Sequence, residues 1–190
     1  MIYDYVRLTL ARVPTPHQAL AAFLRGSTGV VGQFAPQLGW AGNEAAVLLR
    51  DPSGHTLEAP GLIAKTKVER LTPTLRPAGG ATPRPGGIYV HRWFEVEAGA
   101  ADEFVELSGR GWEHFEAQFD TQIFGLFRAA ASPADAEAGV QRLLLLTRYA
   151  DHGVWEASRD PTSDAMQIFA RRAQLTRRSW AASTLLVAPG

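Results

Sequence analysis

The chain starts the same pattern twice. At its beginning, "MIYDYVRLTL" alternates between two faces and leads into a helix-like stretch. At Ile88, "IYVHRWFEVEAG" does so again. A strand-then-helix opening, met twice in 190 residues, confines the chain to two small units of one design. Between them lies "RPAGGATPRPGG", Arg76 to Gly87, in which Pro and Gly dominate and large apolar side chains are absent. Such a segment lacks the means to bury a core and reads as a surface connection. The expected division is a first unit at 1–75, a connection at 76–87 and a second unit at 88–190.

The second unit is the clearer. Ile88 to Val96 reads as a strand, with Ile88, Val90, Arg92, Phe94 and Val96 on one face and Tyr89, His91, Trp93 and Glu95 on the other. A helix is expected over 100–118, with Asp102 and Glu103 at its positive end. Phe104, Val105, Leu107, Trp112 and Phe115 form its apolar stripe. Gly109 and Gly111 should each weaken it by about 1 kcal/mol. Strands follow over 121–130 and 140–150, separated by a loop at 132–139. A helical region from Asp151, broken at "DPTSD", resumes over 165–179 with Arg177 and Arg178 in its last turn. A strand over 180–188 closes the unit. The order is β-α-β-β-α-β, the ferredoxin-like unit.

The first unit repeats this order incompletely. A strand over 2–10 precedes a helix with Thr15 at its cap and Pro16 at its first position. Leu20, Phe23, Leu24, Val30, Val31 and Phe34 continue at helical spacing. A hairpin joins 37–40 to 44–50, and 66–71 is the last strand. The second helix is expected to be shortened to at most a turn or two, because Pro52, Gly54, Pro60 and Gly61 fall in its place. The fold expected is α+β: two tandem ferredoxin-like units whose open sheet faces cover each other, as in a dimeric α/β barrel.

Composition removes several functions. The charges balance and the formal net charge is zero, which argues against a nucleic-acid partner. No cysteine is present, so disulfides, thiolate metal sites and Cys nucleophiles are excluded. No apolar run approaches the length of a membrane span, and the first residues do not read as a signal peptide, so a cytoplasmic protein is expected. His17, His55, His114 and His152 are scattered, no His-x-x-x-His spacing occurs, and no metal site is expected. The Gly-rich connection lacks the Lys and the strand-to-helix context of a phosphate loop. The four Arg of "RRAQLTRR" read as a solvated surface.

Ile88, Tyr89, Arg92, Phe94, Val96 and Gly99 match the opening strand of NIPSNAP proteins, Ile-Tyr-Glu-Leu-Arg-x-Tyr-x-Leu-x-Pro-Gly, with His91 and Ala98 departing from it. "LLLLTRYADHGVWEASR" is similar to that family's second motif through Tyr149 and Arg159, although its Trp is absent. Ile2, Tyr3, Leu71 and Pro73 match the edges of a second such unit. The second unit therefore resembles a NIPSNAP unit, and the antibiotic-biosynthesis monooxygenase-like and EthD-like families share its layout. The resemblance implies a dimeric α/β barrel, a homodimer, and no assigned reaction or catalytic motif.

Tyr89, His91 and Trp93 share the face expected to line the space between the sheets, where related barrels hold small ligands. His91 is the candidate acid or base, and Tyr89, Trp93 and Tyr149 are the candidate ligand contacts. Arg148 and Tyr149 have opposite parity, and Tyr149 is placed toward the pocket. The same residues also suit a packed aromatic barrel with no ligand. Arg92 lies on the other face and is expected to meet Glu106, Glu113 or helix-end carbonyls. Two functions follow: a small-molecule binding or assembly module, or a cofactor-independent monooxygenase or isomerase working through His91. No cofactor is expected; haem held by a His, as in distant barrel relatives, is a weaker third reading. Loss of the fold in His91→Ala would assign that residue to the core.

Overall fold

The computed structural model describes residues 1–52 and 57–187; His55 and the expected strand end at Ala188 lie outside the described residues. The first half contains β1 (Tyr3–Leu10), α1 (Pro16–Leu24), β2 (Val30–Leu38), β3 (Glu44–Arg50) and β4 (Ile63–Pro73). The second contains β5 (Ile88–Glu97), α2 (Ala101–Gln118), β6 (Thr121–Ala129), α3 (Pro133–Ala138), β7 (Val140–Tyr149), α4 (His152–Ala157), α5 (Asp164–Gln174) and β8 (Thr176–Val187). Each half forms a four-stranded antiparallel sheet in the order fourth, first, third, second. β2 pairs with β8 and β6 with β4, and the eight strands close into one barrel. The fold is α+β, with two ferredoxin-like halves sharing a barrel within a single chain. No helix among the described residues is long and apolar enough to cross a membrane.

The alternation along β1 and β5 produces two kinds of core. Tyr3, Tyr5, Phe34, Leu71, Tyr89, Trp93, Phe127, Leu144 and Leu146 point into the barrel and pack together. Val90, Phe94, Val96, Phe104, Trp112, Phe115, Leu143 and Phe169 fill the layer between the second sheet and its helices. A smaller cluster, including Val6, Leu8, Leu20, Val47 and Leu49, lies beneath α1. Gly111 lets α2 approach α5: a Cβ there would stand 2.3 Å from the Phe169 ring, so the propensity lost at that position is exchanged for close helix packing.

Several local expectations are corrected. α1 stops at Leu24, and Val30, Val31 and Phe34 belong to β2. Gly26 and Gly29, both at positive φ, turn the chain, and the two valines favour the strand. Residues 133–138 form a short helix, because Ser132 and Asp135 make a reciprocal capping box around Pro133. Arg177 and Arg178 lie on β8, which begins at Thr176 and pairs with β5. The connection at 76–87 does more than cross the surface. Ala81 packs against the barrel interior, Pro77 and Pro83 are buried, and the Tyr89 hydroxyl donates to the Arg84 carbonyl at 2.7 Å.

The seam between β4 and β6 is short: Leu71, Thr72 and Pro73 pair with Ala129, Arg128 and Phe127, and backbone hydrogen bonds from Ala130 to Arg70 and from Thr74 to Leu126 flank them. The earlier part of β4 is paired with β1 alone among the described residues. Lys65 and Lys67, the two lysines of the sequence, stand on that open edge. Charged lysines there oppose pairing with another chain.

Candidate functional site

β1 and β5 open the two halves, and the barrel brings them to opposite walls. Tyr5 and His91 occupy equivalent places in the two openings: each lies two residues beyond a tyrosine, Tyr3 or Tyr89. They meet in the middle, with the Tyr5 hydroxyl 2.8 Å from His91 Nδ1. His91 Nε2 lies 2.9 Å from Thr184 Oγ1. The Thr184 hydroxyl also lies 3.2 Å from the Tyr89 carbonyl and donates to it. Its oxygen therefore accepts from His91 Nε2–H, and Nδ1 accepts the Tyr5 proton. The network is a chain: Tyr5 to His91, His91 to Thr184, Thr184 to backbone.

Tyr5 is 0 % exposed and His91 1 %. The rings of Phe34, Trp40 and Tyr5 surround the imidazole at 4.8, 5.2 and 5.6 Å. Burial among them removes the solvation a cation needs and pulls the His91 pKa down to about 3, with Arg7 pushing the same way. Burial raises the Tyr5 pKa above its ordinary value. Both groups are consequently neutral, and the hydrogen bond between them carries no net charge.

Trp40, from the turn between β2 and β3, lies against this pair at one mouth of the barrel. The Arg7 guanidinium stacks on it at 4.7 Å and is held by Glu44 at 2.5 Å. Trp93 lies deeper, edge-on to Tyr5 at 5.8 Å and stacked with Trp180 at 6.3 Å. Arg142 covers the Trp93 ring at 5.7 Å and is fixed by Glu69 and Asp135, each at 2.9 Å.

Of the residues singled out in the sequence, Tyr89, His91 and Trp93 line the barrel together. Tyr149 does not join them: it lies in the sheet–helix layer beside Phe115 and Trp155. Its parity is that of Ile88, its partner across the ladder, whereas Arg148 is opposite Tyr89. Arg148 bonds the Gly86 carbonyl and Asp120 at the barrel end. Arg92 meets neither Glu106 nor Glu113 in any ion pair among the described residues. With both nitrogens of His91 bonded to Tyr5 and Thr184, its ring offers no free lone pair to an iron, and haem does not fit here. Tyr5, Thr184 and Trp40 escaped the sequence reading. The internal repeat carried a signal for Tyr5, since aligning the two openings sets it against His91.

No protein-family model matches the sequence, and no curated protein matches it. Solved structures do. A candidate monooxygenase from Lactobacillus acidophilus superposes with a TM-score of 0.63 at 12% identity, covering 100% of this chain and 96% of that one. An anthrone oxidase-like protein gives 0.61 at 14%, covering 98% and 92%. A major regulator of staphylococcal pathogenesis gives 0.57 at 12%, covering 98% and 100%. At these identities the likeness concerns the fold alone: the chain has a ferredoxin-like, dimeric α/β barrel architecture.

Proposed function

We propose that the protein is an oxygenase of the dimeric α/β barrel type that needs neither metal nor organic cofactor, with His91 and Tyr5 as its proton-handling pair. The observation carrying this reading is the Tyr5–His91 hydrogen bond inside an aromatic barrel, beneath a tryptophan at the mouth. The substrate class is a flat aromatic molecule with an acidic ring CH₂, as in an anthrone. The balance is self-contained: the CH₂ and O₂ give C=O and water. The pair receives the proton released as the carbanion forms and returns it to the reduced oxygen. In the closed barrel the imidazole is too weak a base for this. A substrate displacing Trp40 would bring polar groups beside it and raise its pKa toward a useful range. The NIPSNAP-like residues from Ile88 to Gly99 support placing the chain near that family. A cytoplasmic location and a homodimer belong to the same proposal, the dimer being built outside a barrel already closed within the chain.

The competing reading is a non-catalytic binding or assembly module. It is favoured by the packing, since Tyr5, Phe34, Tyr89 and Phe127 are fully buried and fill the barrel. Oxygen uptake with anthrone, without added metal or cofactor, separates the two. Catalysis predicts uptake matched by quinone formation and a fall of about 100-fold in kcat/KM for Tyr5→Phe. Uptake at the protein-free rate, or an unchanged rate in Tyr5→Phe, overturns the oxygenase.

A further inference from the structure

The layer between the second sheet and its helices contains cations that form no ion pair among the described residues. Arg92 projects from β5 on the helix-facing side, between the buried Val90 and Phe94. Arg172 reaches in from α5, and its guanidinium lies 4.1, 5.2 and 5.3 Å from the rings of Phe169, Phe94 and Phe104. Phe94 is one pleat repeat from Arg92 on the same face, so the two guanidinium groups are neighbours. Arg159, just beyond α4, is the third cation of the set.

Among the described residues no ion pair involves Arg92, Arg159 or Arg172. The cations that are paired in this half, Arg128, Arg142, Arg148, Arg171 and Arg177, use Asp102, Asp135, Asp120, Glu103 and Glu97. Among the described residues the Arg172 side chain makes one hydrogen bond, a long one of 3.3 Å to Ser108 Oγ. Ser108 gives its own proton to the Phe104 carbonyl. Trp155, on α4 with its ring 6.4 Å from that of Tyr149, carries a buried indole N–H with no partner among the described residues. The acceptors beside these cations are neutral, Ser108 Oγ and the Tyr149 hydroxyl, and no carboxylate among the described residues pairs with them. Two half-buried like charges and an orphan N–H at one apolar layer are less favourable than the same layer with an anion between them.

We propose that this layer is a binding site for a small oxyanion, the carboxylate or phosphate group of a metabolite, clamped by Arg92 and Arg172 with Arg159 at the entrance. The geometry suits planar, forked donors meeting a two- or three-oxygen anion. Burial, and then repulsion from Arg92, pull the pKa of Arg172 down to about 9, with Tyr149 opposing. The site is on the opposite side of the sheet from His91, and it stands or falls independently of the oxygenase.

The test is thermal unfolding in a chloride buffer of constant ionic strength, titrated separately with inorganic phosphate and with benzoate. Saturable stabilisation by phosphate alone identifies a phosphate-bearing ligand, and by benzoate a carboxylate-bearing one. At tenfold excess over Kd the folding constant rises about elevenfold. Arg92→Met, which keeps the chain length and removes the charge, should unfold at higher temperature than wild type in chloride and lose the response to the anion. Arg159→Ala, at an exposed position, should keep the fold and weaken the response at least threefold, so the proposal is testable even where Arg92→Met does not fold. No saturable shift with either anion, or equal shifts in wild type and both variants, overturns it.

Discussion

Below pH 6.5 the unfolded chain takes up a proton on residue 91 that the folded chain refuses. The folded refusal comes from burial: the imidazole is enclosed by Phe34, Trp40 and Tyr5, both nitrogens are bonded, and its pKa falls to about 3. A depressed folded pKa means that the contribution is fully present above the unfolded value and is lost as pH falls toward the folded one. Each pH unit in that window costs about 1.4 kcal/mol, so moving from pH 8 to pH 4.5 should remove about 3 kcal/mol through His91 alone. The perturbation is His91→Gln, whose amide can accept from Tyr5 and donate to Thr184 without titrating. Urea unfolding at pH 8 and pH 4.5 measures both proteins under two-state conditions. The variant should be less stable at pH 8 by about 1–3 kcal/mol, through lost packing. It should then lose about 3 kcal/mol less than wild type on acidification. Glu69, Glu97, Asp135 and Asp160 have carboxyl pKa values held below their ordinary ones, so their losses come chiefly at lower pH and cancel in the comparison. Parallel losses in the two proteins would refute the burial argument, since a neutral, enclosed imidazole must show itself as a missing proton.

Two structural predictions follow from close contacts and from the open strand edge. Gly111→Ala places a methyl 2.3 Å from the Phe169 ring, so overpacking should outweigh the helix propensity gained and lower Tm by about 4 °C; a rise in Tm in a thermal melt would show that α2 and α5 have slack. Lys65→Val with Lys67→Val removes the charges from the open edge of β4, and light scattering should then detect self-association; a double variant of unchanged mass would mean that the edge is protected by something other than these charges.

The parts of the fold that were legible were those in which one local rule prevailed. The alternation from Ile88 to Val96 separated the barrel-facing Tyr89, His91 and Trp93 from the helix-facing Val90 and Phe94 before any contact was known. The misreadings occurred where two rules competed. Val30, Val31 and Phe34 continue the helical spacing of α1, but two glycines at positive φ intervene and the valines prefer a strand. Arg177 and Arg178 suit a helix end by charge, yet β5 offers a ladder that draws the chain into β8 from Thr176. Tyr149 was misplaced because parity within β7 has no meaning until its register against β5 is set. The connection at 76–87 has the composition of an exposed linker, and only the barrel end gives its prolines something to cover.

The amino-acid pattern by itself determined the duplicated ferredoxin-like design and the inward face of β5. These are local matters: period, glycine and proline placement, and charge are properties of neighbouring residues. Tertiary structure alone decided that Tyr5 faces His91, that Thr184 fixes the tautomer, that Trp40 lies over the pair, and that Arg92 and Arg172 share a layer without a carboxylate. Those meetings join residues 86 and 93 positions apart in the hydrogen bonds of His91. The separation is bridged only when eight strands close on each other, because register across a barrel is set by the sum of all its ladders and by no single stretch of chain.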